Sequence, residues 1–133
     1  MNYRKLLLIL FAIILILPVS SCKKRIEDEV RYGVEGTWKK VDVSDVNALT
    51  YEEWQFQSGI FSVTRCNYSN NQRDIIYTGE YSTSATLIKK TFTITKCSYP
   101  YFEDDWTIHI LKDNDFSFYR SKGGLEYFEF TRL

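Results

Sequence analysis

The sequence predicts an all-β protein, most simply an eight-stranded antiparallel up-and-down barrel, with a β-sandwich as the alternative. Three observations carry this. After Gly36 the apolar residues recur with a period of two, not 3.6. Aromatic residues are abundant, with 3 Trp, 10 Tyr and 9 Phe, and such residues suit a pleated, half-buried surface. The connections are short, which makes neighbouring strands antiparallel. An open meander of eight strands would leave two bare edges, and closure removes them. A sandwich would need a Greek-key crossover, and no connection is long enough to advertise one.

The chain opens with Arg4 and Lys5, then an unbroken apolar run from Leu6 to Leu17. At about 12 residues this run fits the core of a signal peptide and falls short of the roughly 20 that span a bilayer. Pro18 is expected to end its helical tendency. Val19-Ser20-Ser21-Cys22 follows and resembles the lipobox of bacterial lipoproteins. The resemblance implies cleavage before Cys22, a diacylglycerol on its thiol and acylation of its new amino group. Two or more acyl chains anchor stably. Lys23 follows Cys22 in place of the aspartate that retains some lipoproteins in the inner membrane, so the implied address is the outer membrane of the cell envelope.

The division expected is therefore 1–21 signal peptide, 22–35 lipidated cysteine and tether, and 36–133 barrel domain. Residues 23–35 are charged, with Lys23-Lys24-Arg25 and then Glu27-Asp28-Glu29, and read as a solvated tether. At most a short helical turn near Glu27 to Tyr32 is expected before Gly33 and Gly36. Fully extended, these 13 residues reach about 45 Å, which keeps any ligand or partner near the membrane face. The whole chain carries 17 basic and 17 acidic residues, and losing Arg4 and Lys5 with the leader makes the remainder slightly acidic. That argues against a nucleic-acid partner.

The strands follow in order. The first is Thr37 to Val43, then a connection from Ser44 to Leu49. The second is Tyr51 to Gln57 with Trp54 and Phe56 on one face, turned by Ser58-Gly59. The third is Ile60 to Asn67 with Phe61 and Val63 aligned, then an Asn- and Ser-rich loop from Tyr68 to Gln72. The fourth is Arg73 to Ser82, where Ile75, Tyr77, Gly79 and Tyr81 alternate. The fifth runs from Ala85 or Thr86 to Cys97 with Phe92 and Ile94 aligned. A loop from Ser98 to Glu103 carries Pro100. The sixth is Asp104 to Lys112, with Trp106, Ile108 and Ile110 aligned. The seventh is Asp115 to Arg120 with Phe116 and Phe118, and the eighth Leu125 to Arg132 with Phe128 and Phe130. Lys40 shares the parity of Trp38 while Val41 and Val43 oppose it, so a bulge near Lys39 is expected.

Gly36-Thr37-Trp38 resembles the Gly-x-Trp signature in the first strand of lipocalins. The wider pattern of lipobox, Gly-Thr-Trp-Lys, Trp54-Gln55-Phe56 and Thr78-Gly79-Glu80-Tyr81 is similar to small lipocalin-like lipoproteins of Gram-negative bacteria. The resemblance implies that Trp38 packs across one end of the barrel under an arginine of the last strand, here Arg132. It also implies a pocket for a small apolar ligand, whose walls would be Trp38, Trp54, Phe56, Tyr77, Trp106, Phe118, Phe128 and Arg132. The strand region is shorter than a lipocalin's, no flanking helix is evident, and the inward set is bulky. A filled core is the competing expectation, since an eight-stranded barrel holds either side chains or one small ligand.

Little else carries chemistry. His109 alternates with inward residues and should face solvent. Glu103-Asp104-Asp105 and Asp113-Asn114-Asp115 flank the sixth strand and lie at opposite ends, so neither metal nor cofactor is expected. Glu52-Glu53 reads as a wet strand start. With Cys22 lipidated, Cys66 and Cys97 are a disulfide candidate in an oxidising compartment, opposed by the fourth strand lying between them. An enzyme is not expected. The alternative to ligand binding is an accessory lipoprotein that touches another envelope protein through its exterior or loops, with Tyr99, Tyr101 and Phe102 as the exposed anchors.

Overall fold

The computed structural model describes residues 2–42 and 47–133, without the side chains of residues 6 and 10–21. Val43 and residues 44–46 of the expected first connection lie outside the described residues. Eight strands close into an antiparallel barrel in sequence order: β1 (Gly36–Lys40), β2 (Thr50–Gln57), β3 (Ile60–Asn67), β4 (Arg73–Ala85), β5 (Lys90–Thr95), β6 (Asp104–Leu111), β7 (Asp115–Ser121) and β8 (Leu125–Arg132). β1 and β8 seal the sheet through Trp38–Arg132 and Lys40–Phe130. Ser58 and Gly59 both take positive φ, 50° and 83°, the type I′ geometry that matches the twist of a tight hairpin. β4 runs further, and β5 starts later, than the alternation predicts, which leaves Thr86–Lys89 as the hairpin tip.

Two bulges correct the inward set. On β4, Val63 faces Tyr77 and Thr64 faces Ile75, so Ile76 is the extra residue. Ile75 consequently points outward and is exposed, while Ile76 packs against the core. On β6, Ile108 faces Phe118 and Ile110 faces Ser117, so His109 is the extra residue and Leu111, not Ile110, joins the core. Each bulge doubles one residue and flips the parity beyond it. The bulge expected near Lys39 is absent, since β1 pairs without a break. Lys40 stays on the inner parity at the barrel mouth, where its Nζ lies 3.7 Å from Glu52 and 4.9 Å from the Phe128 ring centre.

The largest departure is N-terminal. A helix, α1 (Tyr3–Val34), runs through Pro18 and on through the expected tether. A proline removes one i→i−4 bond, and here the turns on both sides carry on. Ile26, Val30 and Val34 recur every fourth residue, which places them on one face. Val30 and Val34 are fully buried in the barrel core and Ile26 packs beside them. The charged residues lie away from that face and pair along the helix, Lys23 with Glu27 at 4.0 Å, Arg25 with Glu29 at 3.3 Å and Arg31 with Asp28 at 3.1 Å. α1 therefore stoppers the end of the barrel where β1 begins and β4 and β6 finish.

Candidate functional site

The barrel interior is built from rings. Trp54 sits among Phe61 (6.0 Å, stacked), Phe102 (5.4 Å), Phe130 (5.3 Å), Phe118 and Phe128 (both 6.1 Å). Its indole N–H donates to Glu52 Oε2 at 3.0 Å, so the buried polar group is satisfied. Trp106 and Phe118 meet edge to face at 5.1 Å, and Phe56 meets Phe92 in the same way at 5.2 Å. Gly79 makes this packing possible, because a Cβ there would strike the Phe61 ring and press on the Cys97 Cα.

Each end of the barrel is closed by a tryptophan under an arginine. At the α1 end, the Arg132 guanidinium lies 4.1 Å from the Trp38 ring centre. It donates to the carbonyls of Gly33 and Glu35, both at 3.0 Å, and to that of Asp113. The Trp38 N–H donates to Val34 O at 2.9 Å. Carbonyls at the end of a helix have no intrahelical donor, and these side chains supply it. Gly36 is required there: its φ is +135°, and a Cβ would overlap the Arg132 guanidinium.

At the opposite end the short 3₁₀ helix Pro100–Phe102 takes the place of α1. Trp106 donates to Phe102 O at 3.0 Å, four residues back, as Trp38 does to Val34. Arg120 lies 4.2 Å over Trp106 and 4.6 Å over Tyr101. Its charge is 4 % exposed and paired with Asp104 at 3.3 Å and Glu126 at 3.1 Å, as a buried cation requires. Tyr101 donates a short hydrogen bond to Glu126, which pushes the phenol up and holds the carboxyl below its usual range.

The sequence-derived residues are thus brought into one assembly. Trp38, Trp54, Phe56, Trp106 and Phe118 are fully buried, Phe128 and Tyr77 are half-buried, and Arg132 is part of a lid. The seven aromatics line none of the clefts described on this protein. Arg120 is the residue that sequence reasoning missed. A signal existed: Phe116-Ser117-Phe118-Tyr119-Arg120 repeats the spacing of Phe128-Glu129-Phe130-Thr131-Arg132. Phe102 is corrected from exposed anchor to buried plug at 8 % exposure, while Tyr99 and Tyr101 are exposed at 41 % and 47 %.

Cys66 and Cys97 are free thiols, not a disulfide. Cys66 lies opposite Arg73, whereas Cys97 lies against Gly79. Six residues of β4 separate those levels, about 20 Å at strand rise, far beyond the roughly 7 Å a bridge allows. Burial pushes both thiols up. Outside Cys66 the Glu53 carboxylate is chelated by Arg73, which lowers it below its ordinary range.

A cleft of about 800 Å³ lies at the end opposite α1, over the lip formed by Lys39, Lys40, Tyr51, Glu52, Arg65 and Tyr68. The Tyr51 and Tyr68 rings lie 4.6 Å apart with Lys39 Nζ 4.5 Å and 5.0 Å above them. His109 is exposed, between Tyr119 and Tyr127. Asp104 and Asp105 are engaged by Arg120 and Thr93, and Glu103 accepts the Cys97 N–H. Among the described residues no group of three acidic, His or Cys side chains could hold a metal. No protein-family model, no curated protein and no solved structure matches this chain.

Proposed function

We propose that this chain is a lipoprotein of the bacterial cell envelope, lipid-anchored in the outer membrane, with a lipocalin-like barrel that acts as an accessory protein. In this reading it engages another envelope protein through the end opposite α1. The observation that carries it is the distribution of rings. The interior is filled and lidded, which weighs against a ligand within the barrel, and Tyr68, Tyr99 and Tyr101 stand exposed at the α1-distal end. Tyrosine and arginine dominate interface hot spots, and the cleft there adds Arg65 and the Lys39–Tyr51–Tyr68 cluster. The residues that the lipocalin resemblance assigns to a ligand pocket serve here as core and lids.

Photo-crosslinking in cells tests this. A crosslinker in place of Tyr68 or Tyr99 should give one discrete protein adduct, and one in place of Ile60, at the α1 end, should not. Adducts from neither tyrosine position would overturn the proposal. A small molecule that co-purifies in native mass spectrometry and is lost with Trp54→Ala would instead restore the ligand-binding reading.

A further inference from the structure

We propose that the β4–β5 hairpin tip, Leu87 and Ile88, is a second membrane contact that inserts into the surface of the same bilayer that holds the lipid on Cys22. The inference rests on the anchor reading given above, and it commits to a lipid surface as the occupant.

The tip is unlike the rest of the barrel surface. Ile88 is 96 % exposed and Leu87 79 %. They are adjacent, so they form one apolar point and not scattered singles. Thr86 N–H donates to Lys89 O at 2.8 Å and Lys89 N–H to Thr86 Oγ1 at 3.1 Å, which closes the turn, and the tip overhangs a cleft shared with Thr107, Ile108, His109 and Tyr119. β4 is the longest strand, at 13 residues, and carries the tip past the rim. Lys89 and Lys90 follow directly, so an apolar point is backed by cations. That order suits acyl chains below and anionic headgroups above.

Topology sets this tip on the anchored end. β4 finishes at the end where α1 meets β1, and Glu29 and Gly33 of α1 share a cleft with Lys90, Leu111 and Arg132. The helix therefore passes beside the base of the hairpin. Ile26 is its first residue packed on the core, and Cys22 precedes it by one turn, about 6 Å of helix rise. An anchor that short brings the α1 end of the barrel to the membrane, and Leu87 and Ile88 with it. Leu125, exposed at 72 % on the opposite end, has neither an apolar neighbour in its turn nor the anchor beside it.

The test uses the full lipidated chain in vesicles of phosphatidylethanolamine and phosphatidylglycerol. Ile88→Cys and, separately, Leu125→Cys carry a polarity-sensitive fluorophore, with Cys66 and Cys97 shielded by burial. The expected result is a blue shift at position 88, with loss of its emission to acyl-chain quenchers as burial at the headgroup/acyl boundary entails, and an aqueous signal, unquenched, at position 125. An aqueous signal at both positions overturns the inference. So does a blue shift at position 88 that appears without vesicles, because that indicates a protein partner or a second copy. The anchor is scored apart, by release of Cys22→Ser. Release with a wet position 88 leaves the anchor standing and removes the hairpin. Retention of Cys22→Ser removes the anchor reading, and with it the inference that rests on it, whatever position 88 reports.

Discussion

Arg132 joins the first strand, the last strand and the helix, and its removal is the sharpest test of how α1 is held. In Arg132→Ala the Trp38 ring loses its cation, a loss of about 1 kcal/mol. The carbonyls of Gly33, Glu35 and Asp113 lose a charged donor. A hydrogen bond to a charged group contributes about 1.5–3 kcal/mol. Arg132 is only partly buried, so water replaces part of each lost bond and the three together contribute about 2–3 kcal/mol, less than their full sum. Together these give about 3–4 kcal/mol, which for a domain of this size lowers Tm by about 12–16 °C. Arg132→Lys keeps the charge and loses the planar fork, so it should fall about midway. Thermal unfolding in detergent micelles reads the first quantity. Amide exchange at residues 30–34 reads the second, since the last turn of α1 should lose protection before the barrel does. A loss below about 1 kcal/mol, or an undisturbed last turn, would refute the view that Arg132 latches the helix.

Two further outcomes follow from the same packing. Phe102→Ala should cost about 3–4 kcal/mol, because its ring plugs the end of the barrel against Trp54, Tyr77 and Phe128, while exposed Tyr99→Ser should cost under about 1 kcal/mol; equal losses in urea unfolding would contradict the plug. Arg73 holds the Glu53 carboxyl below its ordinary value of 4.5. Its stabilisation is thus fully present above that pH and disappears as pH falls through the lower folded value. Glu53→Gln should flatten the acid limb of the stability–pH curve, and an unchanged slope would show that this pair does not contribute.

The barrel was legible because its inward rings alternate cleanly in β2, β7 and β8. Legibility failed where apolar residues occupy both parities. Ile75-Ile76-Tyr77 and Ile108-His109-Ile110-Leu111 give no local sign of which residue is doubled, since the bulge is set by pairing with a neighbour. The helical stripe failed differently. Ile26, Val30 and Val34 are only three apolar residues among charges, too few to fold alone, and they acquire meaning only beside a barrel mouth. For the cysteines, sequence parity could say which way a side chain faces but not how far along the neighbouring strand it lies. The Trp38–Arg132 lid could be expected from the family resemblance, while the second lid, Trp106–Arg120, needed the internal repeat of Phe-x-Phe-x-Arg to be noticed.

The absence of slack between α1 and β1 has a mechanical meaning. Trp38 and Arg132 bolt the last helical carbonyls to the barrel wall, so the segment after Cys22 behaves as a strut and not as a leash. A leash lets its cargo sweep a hemisphere and pay orientational entropy whenever it docks. With the anchor proposed for Cys22 in place, a strut would hold one height and one azimuthal freedom, rotation about the bilayer normal, with that entropy already lost during folding. The proposed partner would then meet the tyrosine-bearing end at one elevation, and inserting a few glycines at Glu35 would lower the effective concentration without touching a single contact residue.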